Sequence, residues 1–546
     1  MAKKTIVFIP MDSHGHTNAM LSLAEELKSL DYRTVFITNT TETPKLYGHE
    51  LILIEGQQEI RQSTDATCEE DAFLGATLFD QDWDDDSQIN FDVDMANDSE
   101  WDEISSKSTE NNFKLWPYFW RKSGETDPAL ERLLVEIGPD LVVTESMPMR
   151  PALIRLADKS YAYEVAGWNN GLRWMQLSSF GPLWSYYFAD MASRQRSNES
   201  TDANVASSEL LAPPPLLGLP IRLRLNKEDY LIQSDRFKAM LESGGLIKSA
   251  VDLGRLALME NLDSGSLSDS QIGRLLLNES EWLNVFMYPE ELDYEQDFEN
   301  KLDKSRWLRV DSLVRPTSFC SRPLDSISQQ LLADLASWRE SARFDTMYKI
   351  IYVSLGTVIS ENLDIMFRLM HQVFVCLINR KQWHFAVSLV KKRTQICSKF
   401  CDELAHWQGV ERRLIVKGWW PQPEVFKRQL ADACVVHGGN NTICELFQFS
   451  PLPAMVVVPG VSDQLDNARR LEELGLGTAL PVGRLIRANP RGNSKTMLLD
   501  ALDRAFKLQA SKREQPDSRL DGTRRDASHC AQLISAKLEE ECSNSV

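Results

Sequence analysis

The 546-residue chain contains no uninterrupted run of about 18 apolar residues, so no membrane-crossing helix is expected. The apolar stretch at the start, Thr5 to Pro10, is too short for a signal-peptide core. Cysteine is scarce: nine residues, an odd number at irregular spacing, which excludes a disulfide framework. Cys397 and Cys401 are the closest pair, but no second pair stands near them at zinc-ligand spacing. Reduced, buried thiols and a cytoplasmic location are the expectation. Positive charge is also short, with 60 Lys and Arg against 79 Asp and Glu. A net charge of −19 argues against nucleic acid as a partner, because phosphate backbones attract basic surfaces. Both common nucleotide fingerprints are missing: no Gly-x-Gly-x-x-Gly in the first strand-to-helix turn and no Gly-Lys-Ser/Thr loop.

What is present is a large globular composition, 43% hydrophobic and 25% charged, long enough for two to four domains of roughly 100–200 residues. The acidity is local. Between Arg61 and Glu110 there are 16 acidic and two basic residues, so this stretch carries −14 of the −19. Residues 57–112 therefore read as an acidic, flexible surface insertion. Its Asp-x-Asp spellings at Asp80/Asp82, Asp82/Asp84 and Asp84/Asp86 arise readily in a run this acidic and read as a solvated face rather than a metal site.

Elsewhere the chain has a βα rhythm. Thr5–Ile9 is a predicted strand, Met11 to Asn18 a polar loop, Ala19 to Leu30 a helix with apolar residues at helical spacing, and Tyr32 to Thr38 a second strand. The pattern resumes at Ala129 to Ile137 and Pro139 to Glu145, and Trp282 to Met287 and Trp307 to Val310 read as the last strands of the first half. A linker is expected between Arg315 and Pro323. A second series starts at Tyr348 to Gly356 and continues through Trp383 to Leu389, Leu414 to Val416, Ala433 to Val436 and Ala454 to Val458. Ala527 to Glu541 reads as a final helix. The expectation is an α/β chain of two Rossmann-like parallel-sheet domains facing a cleft. Residues 1–320 and 321–525 form the domains, and 526–546 a C-terminal helix and tail.

The densest polar signal runs from Trp419 to Gln464. A strand leads into His437-Gly438-Gly439 and then a helix, and such glycines let backbone approach a ligand while helix-start N–H groups favour a diphosphate. His437 can add a donor to the same phosphates. Glu445, eight residues on, is about two helical turns away and can take the paired hydroxyls of a ribose. Trp419 offers a flat face for a base, whereas Trp420 reads as core packing.

This block resembles the donor signature of family 1 glycosyltransferases, the UDP-sugar-dependent enzymes of the GT-B fold. The family pattern is Trp-x-Pro-Gln, His-x-Gly, Asn-Ser/Thr, Glu and then Asp-Gln. Here Trp419-Trp420-Pro421-Gln422 stands eighteen residues before His437, as in the family. The resemblance implies that Trp419 stacks on uracil. It gives the diphosphate to His437, Gly439, Asn441 and Thr442, the ribose to Glu445 and Gln422, and the sugar hydroxyls to Asp463 and Gln464. Ser354-Leu355-Gly356-Thr357 is similar to the family loop that faces the diphosphate, which adds Thr357 to the donor site. Trp338, Pro214 to Pro220, and Gly15-His16 with Leu21, Leu23 and Ala24 extend the resemblance over most of the chain.

The departures are specific. Ala19 replaces a family proline, Asn440 stands where plant members commonly have tryptophan, and the stretch from Glu445 to Asp463 is two residues longer. Glu145 replaces the family's catalytic-partner aspartate.

The resemblance implies inverting transfer of a hexose, most simply glucose, from a UDP-sugar to a hydroxyl of a lipophilic small molecule, as in secondary metabolite glycosylation. His16 is the expected base on the first βα loop, with His14 as its rival, and Glu145 is the carboxylate that orients it. No metal or other cofactor is expected; the UDP-sugar is a co-substrate. Trp168, Trp174, Phe180, Trp184, Tyr186, Tyr187 and Phe188 either line the acceptor pocket or pack the core. The alternatives are the same fold with a deoxysugar nucleotide or a GDP-sugar, a non-catalytic auxiliary protein of this fold, or a scaffold working through the acidic insertion.

Overall fold

In the computed structural model, the residues described are 3–11, 14–38, 49–55, 58–62, 116–146, 150–178, 181–187, 212, 215, 232–234, 237–239, 241–242, 248, 252, 279–294, 298, 302–313, 326–341, 345, 347–356, 363–389, 412–418, 420–460, 463–487, 496–514 and 525–544. The Asp-x-Asp spellings, the expected linker, Cys397 and Cys401 lie outside them.

The first half builds an eight-stranded sheet in the order β4-β3-β2-β1-β5-β6-β7-β8. Its strands are β1 Thr5–Ile9, β2 Arg33–Thr38, β3 Glu50–Glu55, β4 Gln58–Gln62, β5 Leu141–Glu145, β6 Trp174–Ser178, β7 Leu283–Met287 and β8 Trp307–Val310. All neighbours are parallel except β3 and β4, which form an antiparallel edge pair. The sequence reading passed over β3 and placed β4 at the start of the acidic insertion; residues 58–62 are instead a strand. The central strands β1 and β5 are fully buried, which explains their runs of apolar and β-branched residues, broken only by Glu145 at the end of β5.

Helix α1, His14–Ser29, follows β1, and α2, Trp116–Ile137, leads into β5. The two helices lie on opposite faces. Met20, Leu23 and Leu27 of α1 pack with Phe8, Leu141 and Val143, whereas Leu130, Leu133 and Leu134 of α2 pack with Val7, Ile9 and Val142. This alternation follows from the two-residue period of a strand.

The second half builds a six-stranded parallel sheet in the order β11-β10-β9-β12-β13-β14. Its strands are β9 Lys349–Ser354, β10 Trp383–Ser388, β11 Leu414–Lys417, β12 Ala433–Val436, β13 Ala454–Val457 and β14 Thr478–Ala479. The helices that matter below are α3, Asn440–Phe447, and α4, Asp463–Glu473. The last helix, α5, Ala527–Asn544, crosses back to the first half. Its Cys530, Ala531, Ile534 and Leu538 are buried against the α1 face of the first sheet. Full burial of side chains such as Ile534 and Leu538 stabilises that docking by about 1.5–3 kcal/mol each.

Polar contacts fix the same crossing. Tyr32 Oη lies 2.9 Å from Ser535 Oγ, and Trp282 Nε1 donates to Glu541 at 2.7 Å. Lys537 Nζ donates to the Trp282 carbonyl at 2.8 Å, and Arg173 Nε to Glu541 at 2.6 Å. The final helix thus packs on the first half rather than standing as a separate tail. Among the described residues, no helix is long and apolar enough to cross a membrane, and Cys376, Cys434, Cys444 and Cys530 are buried free thiols.

Candidate active site

In each sheet the strand order reverses once, between β1 and β5 in the first half and between β9 and β12 in the second. Open α/β sheets bind ligands at the carboxyl ends of the strands flanking such a reversal. The residues of interest converge on these two places.

At the first reversal, His16 lies in the opening turn of α1, and Glu145 ends β5. The helix begins at His14, so His16 is helical rather than on a loop. Its polar residues hid this start, because they lack the apolar spacing by which a helix is read. Glu145 shares the sheet face of Leu141 and Val143, so its carboxylate emerges beneath α1. His16 Nδ1 lies 3.1 Å from Glu145 Oε2, with Glu145 buried and the His16 side chain 15% exposed. Ser146 Oγ donates to the other carboxylate oxygen at 3.5 Å. Burial opposes the imidazolium of His16, but the adjacent Glu145 carboxylate outweighs it, and Asp463 adds to the effect. The net result is a histidine raised above its ordinary 6.5.

At the second reversal, β9 runs out at Ser354 and β12 at Val436, two strands paired in register at those residues. His437 follows β12. A Cβ on Gly356 (φ +68°) or on Gly439 would run into the His437 ring, so both glycines are needed for the close approach. Gly438 has φ +84°, and a side chain there would strike Val457. Helix α3 then starts behind Gly439 with no side-chain cap. His437 is surrounded by protein, and burial drives its pKa down to about 4, although a hydrogen bond with the Ser354 backbone favours the charged form. The ring is neutral at neutral pH.

Behind this turn, Gln422 donates its amide to the Glu445 carboxylate and accepts from the Tyr352 hydroxyl at 3.1 Å. Glu445 keeps a partly exposed surface but is hemmed in by protein. Burial raises its pKa to about 7, against the lowering pull of Gln422. Trp420 is buried, with Nε1 donating to the Val387 carbonyl at 3.1 Å.

Asp463 and Gln464 open α4, and both are buried. Gln464 Oε1 accepts from the Gly460 N–H at 3.0 Å. Asp463 accepts backbone hydrogen bonds from Asn440 in its own half and from Gly181 in the other, and it feels the His16 charge. Burial dominates and pushes its pKa up to about 7. Asp463 is therefore the point where the two halves meet beside His16.

Residues 347–522 match the family described as UDP-glucoronosyl and UDP-glucosyl transferase. No curated protein matches the chain. Among solved structures, the glycosyltransferase of kitacinnamycin is similar at 16% identity, covering 98% of this chain and 100% of its own, with a TM-score of 0.51. The calicheamicin glycosyltransferase is similar at 15% identity over 99% of both chains, also at 0.51. These likenesses establish the GT-B fold. The protein is a UDP-dependent glycosyltransferase. Its family match spans the second sheet, with the Gly356, His437, Glu445 and Asp463 positions inside it.

In this glycosyltransferase the structure brings His16, Glu145 and Asp463 together, and separately groups His437 with Gly356 and Gly439, and Gln422 with Glu445. Asn441 and Thr442 stand in the first turn of α3, Thr442 buried and Asn441 partly so. Thr357, Trp419 and the His14 side chain lie outside the described residues, as do Phe180 and Phe188. Trp174, Trp184, Tyr186 and Tyr187 are buried in core clusters, and Trp168 packs partly buried against one. Core packing is thus the role the structure gives these aromatics. Trp338 packs edge-on to His384, ring centres 4.8 Å apart.

Three groups have structural roles that the sequence did not reveal. Tyr352 supports Gln422 from the middle of a buried strand, where a tyrosine among Ile and Val residues is the available signal. Asn440 Nδ2 donates to the Met287 carbonyl at 2.6 Å, a bond between the two halves at the very position that departs from the plant pattern. Asn467 and Arg470, on α4, are treated below.

Proposed function

We propose that this glycosyltransferase moves a hexose, glucose in the simplest case, from UDP to a hydroxyl of a lipophilic small molecule with inversion at the anomeric carbon. The observation that carries the reading is the His16–Glu145 pair at the first reversal point, with Asp463 of the donor half beside it. Nδ1 of His16 faces the carboxylate, so Nε2 is the nitrogen left for the acceptor proton. As the acceptor oxygen bonds to the anomeric carbon, its proton passes to Nε2, and Glu145 stabilises the imidazolium that results. The bond from that carbon to the β-phosphate oxygen breaks, and its electron pair leaves with UDP.

The leaving diphosphate falls to neutral His437, Thr357, Asn441, Thr442 and the start of α3, with Gly439 admitting it. No metal is assigned a step. Trp419 takes the uracil and Gln422 and Glu445 the ribose, while Asp463 and Gln464 take the sugar hydroxyls. These assignments rest on the family pattern and on the grouping of the described members. The lipophilic acceptor and a role in secondary metabolite glycosylation rest on the resemblance, and a cytoplasmic setting agrees with the buried free thiols.

The test is incubation of the purified protein with UDP-glucose and a panel of hydroxylated aromatic and terpenoid acceptors, with the product anomer read by NMR. A β-glucoside supports the reading. An α-glucoside overturns inversion, and transfer only from dTDP- or GDP-sugars overturns the proposed UDP-glucose donor.

A further inference from the structure

Helix α4 carries Asp463, Asn467 and Arg470 at positions i, i+4 and i+7, on one face. That face is turned to the N-terminal half. Asn467, 1% exposed, accepts from the Tyr288 hydroxyl at 2.9 Å and donates to the Gly438 carbonyl at 2.8 Å. Arg470, 3% exposed, donates from Nε to the Leu292 carbonyl at 2.9 Å and from Nη2 to the Asp293 carbonyl at 2.7 Å. Its guanidinium lies 4.6 Å from the centre of the Tyr294 ring. The segment 288–294 that receives these contacts is fixed on its other side to the N-terminal sheet. Arg309 Nε lies 3.4 Å from the Asp293 carboxylate, and Asp311 accepts from the Glu290 N–H at 3.1 Å.

A buried arginine that spends its fork on two main-chain carbonyls contributes directional hold rather than ion pairing. The hold sits one and two turns from Asp463, within a single stiff helix. We propose that Asn467 and Arg470 are positioning residues through which the N-terminal domain sets the donor-sugar site. Docking of residues 288–294 on α4 holds Asp463 and Gln464 where the sugar hydroxyls arrive. This rests on the reading of Asp463 and Gln464 as sugar ligands. The Gln422, Glu445 and Tyr352 contacts lie within the C-terminal half, while Asn467 also bonds the Gly438 carbonyl beside His437, so the docking is expected to weigh far more on the sugar than on the nucleotide.

The experiment is calorimetric titration of the full chain with UDP and with UDP-glucose, in the wild type and in Arg470→Lys, Tyr288→Phe and Asp463→Asn. Arg470→Lys keeps the charge but loses the two-carbonyl fork. It is expected to bind UDP within about twofold of wild type and UDP-glucose roughly tenfold more weakly. In transfer assays the donor KM rises while the pH profile stays in place. Tyr288→Phe removes one hydroxyl with little change of volume. Its loss for UDP-glucose alone is expected to be roughly threefold, which keeps the test alive if the arginine variant folds poorly. Equal weakening of UDP and UDP-glucose in these variants, or no change in either, overturns the proposal. If Asp463→Asn leaves the ratio of UDP-glucose to UDP affinity at the wild-type value, the sugar-ligand reading itself falls and the proposal with it. A changed ratio in Asp463→Asn with wild-type ratios in the other two overturns the positioning role alone.

Discussion

The two halves of the molecule place a histidine just beyond a central strand, beside the point where the strand order reverses, and give it opposite character. His16 has a carboxylate 3.1 Å away and is raised above 6.5. His437 is walled in by two glycines, has a main-chain partner at Ser354, and is lowered to about 4. Neither difference is written in the histidine itself. It comes from what ends the neighbouring strand, the Glu145 carboxylate at the end of β5 in one case and the Ser354 backbone at the end of β9 in the other. A charged partner makes a ring that can take and hold a proton, while enclosure without one makes a ring that stays neutral and donates a fixed hydrogen bond. On the proposed mechanism, this difference suits one histidine to act as a base and the other to donate to an anion.

Removing His16 breaks this comparison most severely. His16→Ala is expected to lower transfer by roughly a thousandfold in steady-state assays; turnover near wild type would show that the base lies elsewhere. Glu145→Gln should cost about ten- to a hundredfold in kcat and also move the pH profile. On the proposed mechanism the base works as neutral imidazole, so the rate is expected to rise with pH through the raised value of His16. Without the carboxylate that value falls, and the rising limb shifts to lower pH; a limb that stays in place would disconnect the pair.

On the donor side, Glu445 near 7 is part-protonated when empty, and ribose hydroxyls donate to its ionised form. UDP affinity should therefore rise between pH 6 and 8, by at most about tenfold from this group. That part of the rise should vanish in Glu445→Gln when titrated calorimetrically. The smallest effect sharpens how the halves are joined. Asn440→Ala strands the Met287 carbonyl and should cost about 1–2 kcal/mol in denaturant unfolding.

Much of this was legible in the sequence because the informative strands are buried on both faces. Thr5–Ile9, Leu141 to Thr144, Ala433–Val436 and Ala454–Val457 read as continuous apolar or β-branched runs, and polar residues such as Glu145 and His437 follow them at the strand ends. The His437-Gly438-Gly439 turn was legible because glycine has few other reasons to follow such a strand. The start of α1 was not, since its first turn lacks the apolar period by which helices are found. The edge pair β3 and β4 was missed because β4, Gln-Glu-Ile-Arg-Gln, has the composition of a loop. The joint made by Asn440, Asn467 and Arg470 was invisible for another reason. Its partners are main-chain carbonyls and one tyrosine far away in sequence, and a carbonyl leaves no mark on a sequence.

The division of labour between the two histidines is tested most directly by titrating UDP into the His16→Ala and His437→Ala proteins side by side. His16→Ala should bind UDP as wild type does, and His437→Ala roughly tenfold more weakly. Equal losses in the two variants, or a loss confined to His16→Ala, would contradict the assignment of proton transfer to one half and diphosphate binding to the other.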